Sequence, residues 1–157
     1  MTRYLGIDPG LSGAVAILDG DNVTTWRLPA FKASRGWELD LTSIARDLDA
    51  AGPFAHAVIE RVTTRPNEGR AQAFRFGGAF GALQGIVAAN FIPITLPTPW
   101  QWKRALGVPT AKDGARQRAT QLLPSAAGQW SRSADHDRAE AALLALYAAR
   151  EAGCKDA

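Results

Sequence analysis

Residues 3–10 read Arg3-Tyr4-Leu5-Gly6-Ile7-Asp8-Pro9-Gly10, an apolar run that ends on an acid and then turns. A run this short, stopped by Pro-Gly, predicts a buried β-strand. Asp8 therefore stands at the end of a strand, where a side chain can leave the core. Working outward, Gly13 to Leu18 is a second apolar run. Asp19-Gly20-Asp21-Asn22 reads as a hairpin turn, and Val23 to Leu28 as the returning strand.

Further along, Leu39, Ile44, Ala45 and Leu48 recur at helical spacing, which predicts an amphipathic helix over Glu38–Ala51, stopped by Gly52-Pro53. Ala55 to Glu60 is another buried strand, and it too ends on an acid. Thr63 to Gly69 is a polar loop. Ala71 to Asn90 reads as a long helix despite Gly77, Gly78, Gly81 and Gly85. Ile92 to Leu96 is a strand. Pro97–Leu106 and Ala111–Leu122 are helices divided by Gly107-Val108-Pro109, and Ala134–Arg150 is the last helix. The order β-β-β-α-β-α-β-α-α-α implies an α/β fold: a mixed five-stranded sheet with helices on both faces.

The chain has 157 residues, enough for one domain with a core of its own. It carries one cysteine, Cys154, and no Cys/His zinc spacing, so disulfides and structural zinc are not expected and a reducing, cytoplasmic setting is. The N-terminus lacks the apolar stretch of a signal peptide, and no run is long enough to span a membrane. Net charge is +3. Its placement says more than its size. Arg61 to Arg75 holds four arginines and one acid; Pro97 to Leu122 holds five bases and one acid; Gly36 to Ala51 holds four acids and one arginine. Basic charge is gathered into two stretches, as a nucleic-acid surface requires.

The acids suggest chemistry. Asp8 and Glu60 stand at predicted strand ends, where ligands gather in such sheets. Asp137 and Glu140 lie three apart on the last helix and share a face. Like charges that converge need a cation between them, and hard oxygen ligands suit magnesium or manganese. A single acid at a strand end is more commonly a turn or cap residue, and Asp135 has a claim to be the cap of the last helix.

This arrangement resembles the RuvC-type Holliday-junction resolvases of the ribonuclease H-like superfamily, with the phage-encoded branch nearest. The resemblance spans nearly the whole chain. It is carried by Gly6-Ile7-Asp8-Pro9-Gly10 with Ser12-Gly13, by Val58-Ile59-Glu60, by Trp102-Lys103-Arg104-Ala105-Leu106-Gly107, and by Asp135-His136-Asp137-Arg138-Ala139-Glu140-Ala141. It implies a homodimer that cuts two strands of a four-way DNA junction, and other branched DNA, with two Mg2+ or Mn2+ ions per site. Asp8, Glu60, Asp137 and Glu140 match the family's metal-binding acids. Glu140 stands where cellular members usually carry Asp. Phage relatives often keep the preceding Asp-His pair and lack an acid at the Asp137 position, so Asp135 and His136 rival Asp137 for the fourth place. Lys103 and Lys112 match lysines that the family places beside the scissile phosphate.

Candidates for DNA contact are Arg65 and Arg70 around the polar loop, together with Lys103, Arg104, Lys112 and Arg116. Phe74 and Phe76 are expected to be buried. Trp100 and Trp102 cannot share one helical face, although both as core is the blander expectation. The glycines of the long helix imply close packing, either on the chain's own sheet or, by the resemblance, near a dimer interface. Three other readings are weighed, one of them a junction-binding protein without catalysis. An Asp-x-Gly turn also opens actin-like and sugar-kinase ATPases, which need two such domains. A different ribonuclease H-like nuclease, acting on RNA–DNA hybrids or processing RNA like YqgF, is the alternative function.

Overall fold

The computed structural model describes residues 2–155; the side chain of Cys154 lies outside the described residues. The first three strands are β1 (Arg3–Asp8), β2 (Ala14–Asp19) and β3 (Asn22–Arg27). They form an antiparallel meander in which Asp8 pairs with Ala14 and Ala14 with Arg27. A small separate hairpin follows, β4 (Ala30–Ala33) with β5 (Gly36–Leu39). Then come α1 (Leu41–Ala51), β6 (His56–Ile59), α2 (Arg70–Ala89), β7 (Ile94–Thr95), α3 (Pro99–Leu106), α4 (Gly114–Leu122) and α5 (His136–Lys155). The main sheet has the order β3-β2-β1-β6-β7, with β6 parallel to both β1 and β7. It is the mixed five-stranded sheet expected from the sequence.

Helices cover both faces. On one, α5 lies along β1 and β2, and Trp102, Leu106, Leu143, Leu144 and Trp130 pack into a core with Val58 and Leu18. On the other, Ile44 and Leu48 of α1 and Leu83 and Val87 of α2 pack on Leu5, Ile7, Val15 and Ile59. Strands buried on both faces explain why β1 and β6 read as continuous apolar runs rather than alternating ones. Gly6 sets the depth of α5: a Cβ there would collide with the Ala141 carbonyl and the Ala145 amide. The last helix therefore presses directly against the central strand, two residues before Asp8. Arg138 fixes it sideways, donating from Nε to Thr25 Oγ1 at 2.9 Å and from Nη2 to Thr25 O at 2.7 Å.

Several expectations are corrected. The helix predicted from Glu38 starts at Leu41, because the Asp40 carboxylate accepts from the Ser43 amide at 3.0 Å and caps it there. The residues before it form the β4–β5 hairpin, turned by Gly36 at φ +106°. The strand predicted over 92–96 shortens to Ile94–Thr95. Residues 124–130 form a 3-10 helix that buries Trp130. The last helix begins at His136, after a 3-10 turn over Ser133–Asp135. Phe74 is 84% exposed, not buried, because the helix meets the core only from Ala79 and Phe80 onward. Of the two tryptophans, Trp102 is fully buried and Trp100 is 66% exposed. The helix glycines do not pack on the sheet: a Cβ at Gly77, Gly78, Gly81 or Gly85 would meet nothing within 4 Å.

Candidate metal-dependent nuclease site

Asp8 ends β1, and Glu60 directly follows β6. The parallel register sets Ile7 beside Ile59, and the Glu60 amide donates to the Ile7 carbonyl at 3.2 Å. These two acids are therefore neighbours at one end of the sheet. Asp137 and Glu140 reach the same point from the first turns of α5. Asp8 is only 8% exposed. Its carboxyl is pushed well above the usual aspartate range, by burial first and then by the charges of Glu140, Asp137 and Glu60. Each of the three acids bears on Asp8, so the four carboxyl groups converge. A side-chain hydrogen bond with Asp137 adds to this rise. Asp137 and Glu60 are also raised, again by burial first.

Two consecutive residues of α3 hold two of these acids. The buried Trp102 indole donates from Nε1 to Glu60 Oε2 at 2.7 Å. Lys103 Nζ lies 2.7 Å from Glu140 Oε1 and 5.1 Å from the centre of the Trp102 ring. A capping box at Thr98 and Gln101 and the left-handed Gly107 fix the ends of this short helix. The aim of both side chains is thus set by local sequence. The signal for Trp102 was its position beside Lys103; its bond to Glu60 crosses 42 residues and is not readable from spacing.

The rivals for the fourth place differ in what surrounds them. Asp135 is buried and accepts from Arg132 at 2.7 and 3.0 Å and from Arg27 at 3.3 Å. The Arg132 bond comes first in holding its pKa at about 2. Its charge is already compensated by two guanidinium groups. His136 is exposed, with Nε2 2.9 Å from Asp137 Oδ1. His136, Asp137 and Glu140 each offer a ligand atom within 4.8 Å of the others. Four converging carboxyl groups, with Lys103 against Glu140 alone and one imidazole at the rim, fit a hard divalent cation.

The basic candidates scatter. Arg65, Arg70 and Lys112 are exposed. Arg104 stacks over the exposed Trp100 ring at 4.9 Å. Arg116 is taken up internally: its guanidinium donates to the carbonyls of Trp130 at 3.0 Å and Ser131 at 2.9 Å and pairs with Asp113 at 3.1 Å. It secures the 3-10 segment to α4.

No protein-family model matches the chain, and no curated protein sequence matches it. Solved structures do. RuvC of Thermus thermophilus matches with a TM-score of 0.62 at 20% identity, covering 96% of this chain and 97% of that one. The same T. thermophilus protein in complex with a Holliday junction substrate matches with a TM-score of 0.62 at 16% identity, covering 96% of each chain. The yeast mitochondrial Holliday junction resolvase Ydc2 matches with a TM-score of 0.56 at 15% identity, covering 92% of this chain and 77% of that one. The chain therefore has the RuvC form of the ribonuclease H-like fold. Among the described residues, no helix is long and apolar enough to cross a membrane.

Proposed function

We propose that the chain is a metal-dependent, structure-specific endonuclease that resolves four-way DNA junctions by paired phosphodiester hydrolysis and also cuts other branched DNA. One observation carries this reading: three carboxyl groups converge on that of Asp8, at the end of the central strand of a fold shared with junction resolvases. We assign Asp8, Glu60, Asp137 and Glu140 as the metal-holding acids, with His136 at the rim and Asp135 as a structural ion pair. Magnesium or manganese bound there, as two ions, would activate water and stabilise the leaving 3′ oxygen.

The chain's own groups do the rest. Asp8 is shared between the two sides of the cluster, Glu60 serves one and the α5 acids the other. Trp102 holds Glu60 through its Oε2. Lys103 neutralises Glu140 and lies where a phosphate would approach, with Lys112 exposed in the turn before the next helix. Arg65, Arg70 and Arg104 supply further phosphate contacts. Products carry 5′-phosphate and 3′-hydroxyl ends, by resemblance to the resolvases.

Paired cuts need two sites. The exposed small-residue face of α2, with open space over its glycines, supports a homodimer formed through that helix. We place the enzyme in the cytoplasm, bacterial or phage-infected. The test is cleavage of four-way junctions, flaps, forks and RNA–DNA hybrids, each with magnesium, manganese or calcium. Magnesium-dependent cutting of junctions is expected. Cutting of hybrids with junctions left intact would make the chain a different ribonuclease H-like nuclease.

A further inference from the structure

The β4–β5 hairpin stands outside the main sheet and was not foreseen as an element. Its base is fixed: the Asp40 amide donates to the Pro29 carbonyl at 2.8 Å, and Leu39 is buried. Its middle faces solvent. Trp37 is 55% exposed and Phe31 48%. A connection between a strand and a helix needs turn residues; two large exposed aromatics on so short a hairpin call for a partner.

The register shows which side chains work together. Lys32 pairs across the strands with Trp37, so a cation and an aromatic share one face, and Phe31 shares the other with Glu38. Arg35 lies in the exposed tip. Arg75 of α2 comes within 3.3 Å of the place a Cβ would take on Gly36, so a third cation adjoins the tip. Lys32, Arg35 and Arg75 around the exposed Trp37 are the chemistry of a nucleic-acid surface.

Its place in the fold agrees. Ala14 pairs with both Asp8 and Arg27, so β3 delivers the hairpin at the acid end of the sheet. Phe76, next to Arg75, packs on Gly10, two residues beyond Asp8. The hairpin and the acids thus border the same end of the molecule.

We propose that this hairpin binds the opened part of branched DNA, with Trp37 stacked on an unpaired base and Lys32, Arg35 and Arg75 on the flanking phosphates. The inference rests on the branched-DNA reading above and names where the branch is held. An aromatic ring needs a free base face, which a stacked duplex hides and a strand exchange point exposes. Phosphates supply the charge complement. A second copy of the chain is the other conceivable occupant, but a self-complementary contact would set these cations against each other.

The test uses the full chain, a synthetic four-way junction carrying 2-aminopurine at the branch, and a linear duplex, all in calcium. Trp37→Ala should weaken junction binding about tenfold and abolish the 2-aminopurine response, with duplex binding within about twofold of wild type. Trp37→Phe should restore most of the loss. Lys32→Ala should lower the salt slope of binding by about one. Junction binding by Trp37→Ala equal to wild type overturns the assignment. So does loss of binding that tracks loss of the dimer in sedimentation, which would give the surface to a second copy. A wild-type protein with no preference for junction over duplex overturns the proposed function itself, and the hairpin assignment with it.

Discussion

The Trp102 indole N–H donates to Glu60 Oε2 at 2.7 Å, joining the fully buried ring of one helix to an acid at the end of β6. An indole has one donor and no acceptor, so it fixes the carboxylate without competing for a cation. Groups that orient a ligand in this way commonly change metal affinity about 10–100-fold. Trp102→Phe keeps the ring and removes the donor. It should weaken manganese binding by calorimetry about tenfold. Unchanged affinity would show that Glu60 is held by other means.

Asp8→Asn should abolish cleavage and leave junction binding intact. Above the raised pKa of Asp8 it also removes the charge at the centre of the repulsive cluster. The metal-free variant should therefore melt higher than metal-free wild type, by about 3 °C for each kcal/mol of relieved repulsion. Residual magnesium-dependent cutting by this variant would mean that the site is misassigned.

The two acids that compete for the fourth place should separate cleanly. Asp137→Asn should lose metal affinity and keep the fold. Asp135→Asn should do the reverse, because it leaves Arg27 and Arg132 without their buried counter-charge. We expect a lower Tm and near-normal manganese affinity. Loss of metal binding in the Asp135 variant at a temperature where it is folded would restore Asp135 to the ligand set.

The pH dependence follows from the signs. Asp8, Glu60 and Asp137 hold their protons longer folded than unfolded. The metal-free fold thus loses stability as pH rises from the ordinary carboxylate range through these raised values. Asp135, held at about 2, acts oppositely: its contribution is full above the usual 3.8 and is lost as pH falls through about 2. Melts in chelator should show Tm falling as pH rises above the ordinary carboxylate range, and manganese should remove that fall. A flat Tm in chelator would argue against the convergence of the acids.

Gly81 has nothing within 4 Å of its missing Cβ. If α2 stays in solvent, Gly81→Ala should stabilise the protein by about 1 kcal/mol through helix propensity alone. In the proposed dimer a larger residue fills space that the partner needs. Gly81→Leu should therefore give a monomer in sedimentation that nicks junctions without paired cuts. A Gly81→Leu dimer as tight as wild type would move the interface elsewhere.

Much of this was readable in the chain itself. Leu5, Ile7, Val58 and Ile59 are apolar without alternation because both faces of their strands are covered, so β1 and β6 and the acids that end them could be located by composition alone. The hairpin was hidden because Leu39 continues the helical spacing of Ile44 and Leu48, while the cap at Asp40 overrides that period by a local hydrogen bond. Phe74 was misplaced because periodicity says that a helix has a buried side, not how far along its length the core extends.

The sequence by itself determined that acids stand at two strand ends and on one face of the last helix, since strand and helix periods are local properties. It left Asp135 and Asp137 as rivals, and we propose Asp137. That choice lies in Arg27 and Arg132, which neutralise one aspartate, and in Gly6, which lets α5 come close enough to set the other beside Asp8. Charge compensation and close approach are relations between segments far apart in the chain, and only the tertiary structure brings them together.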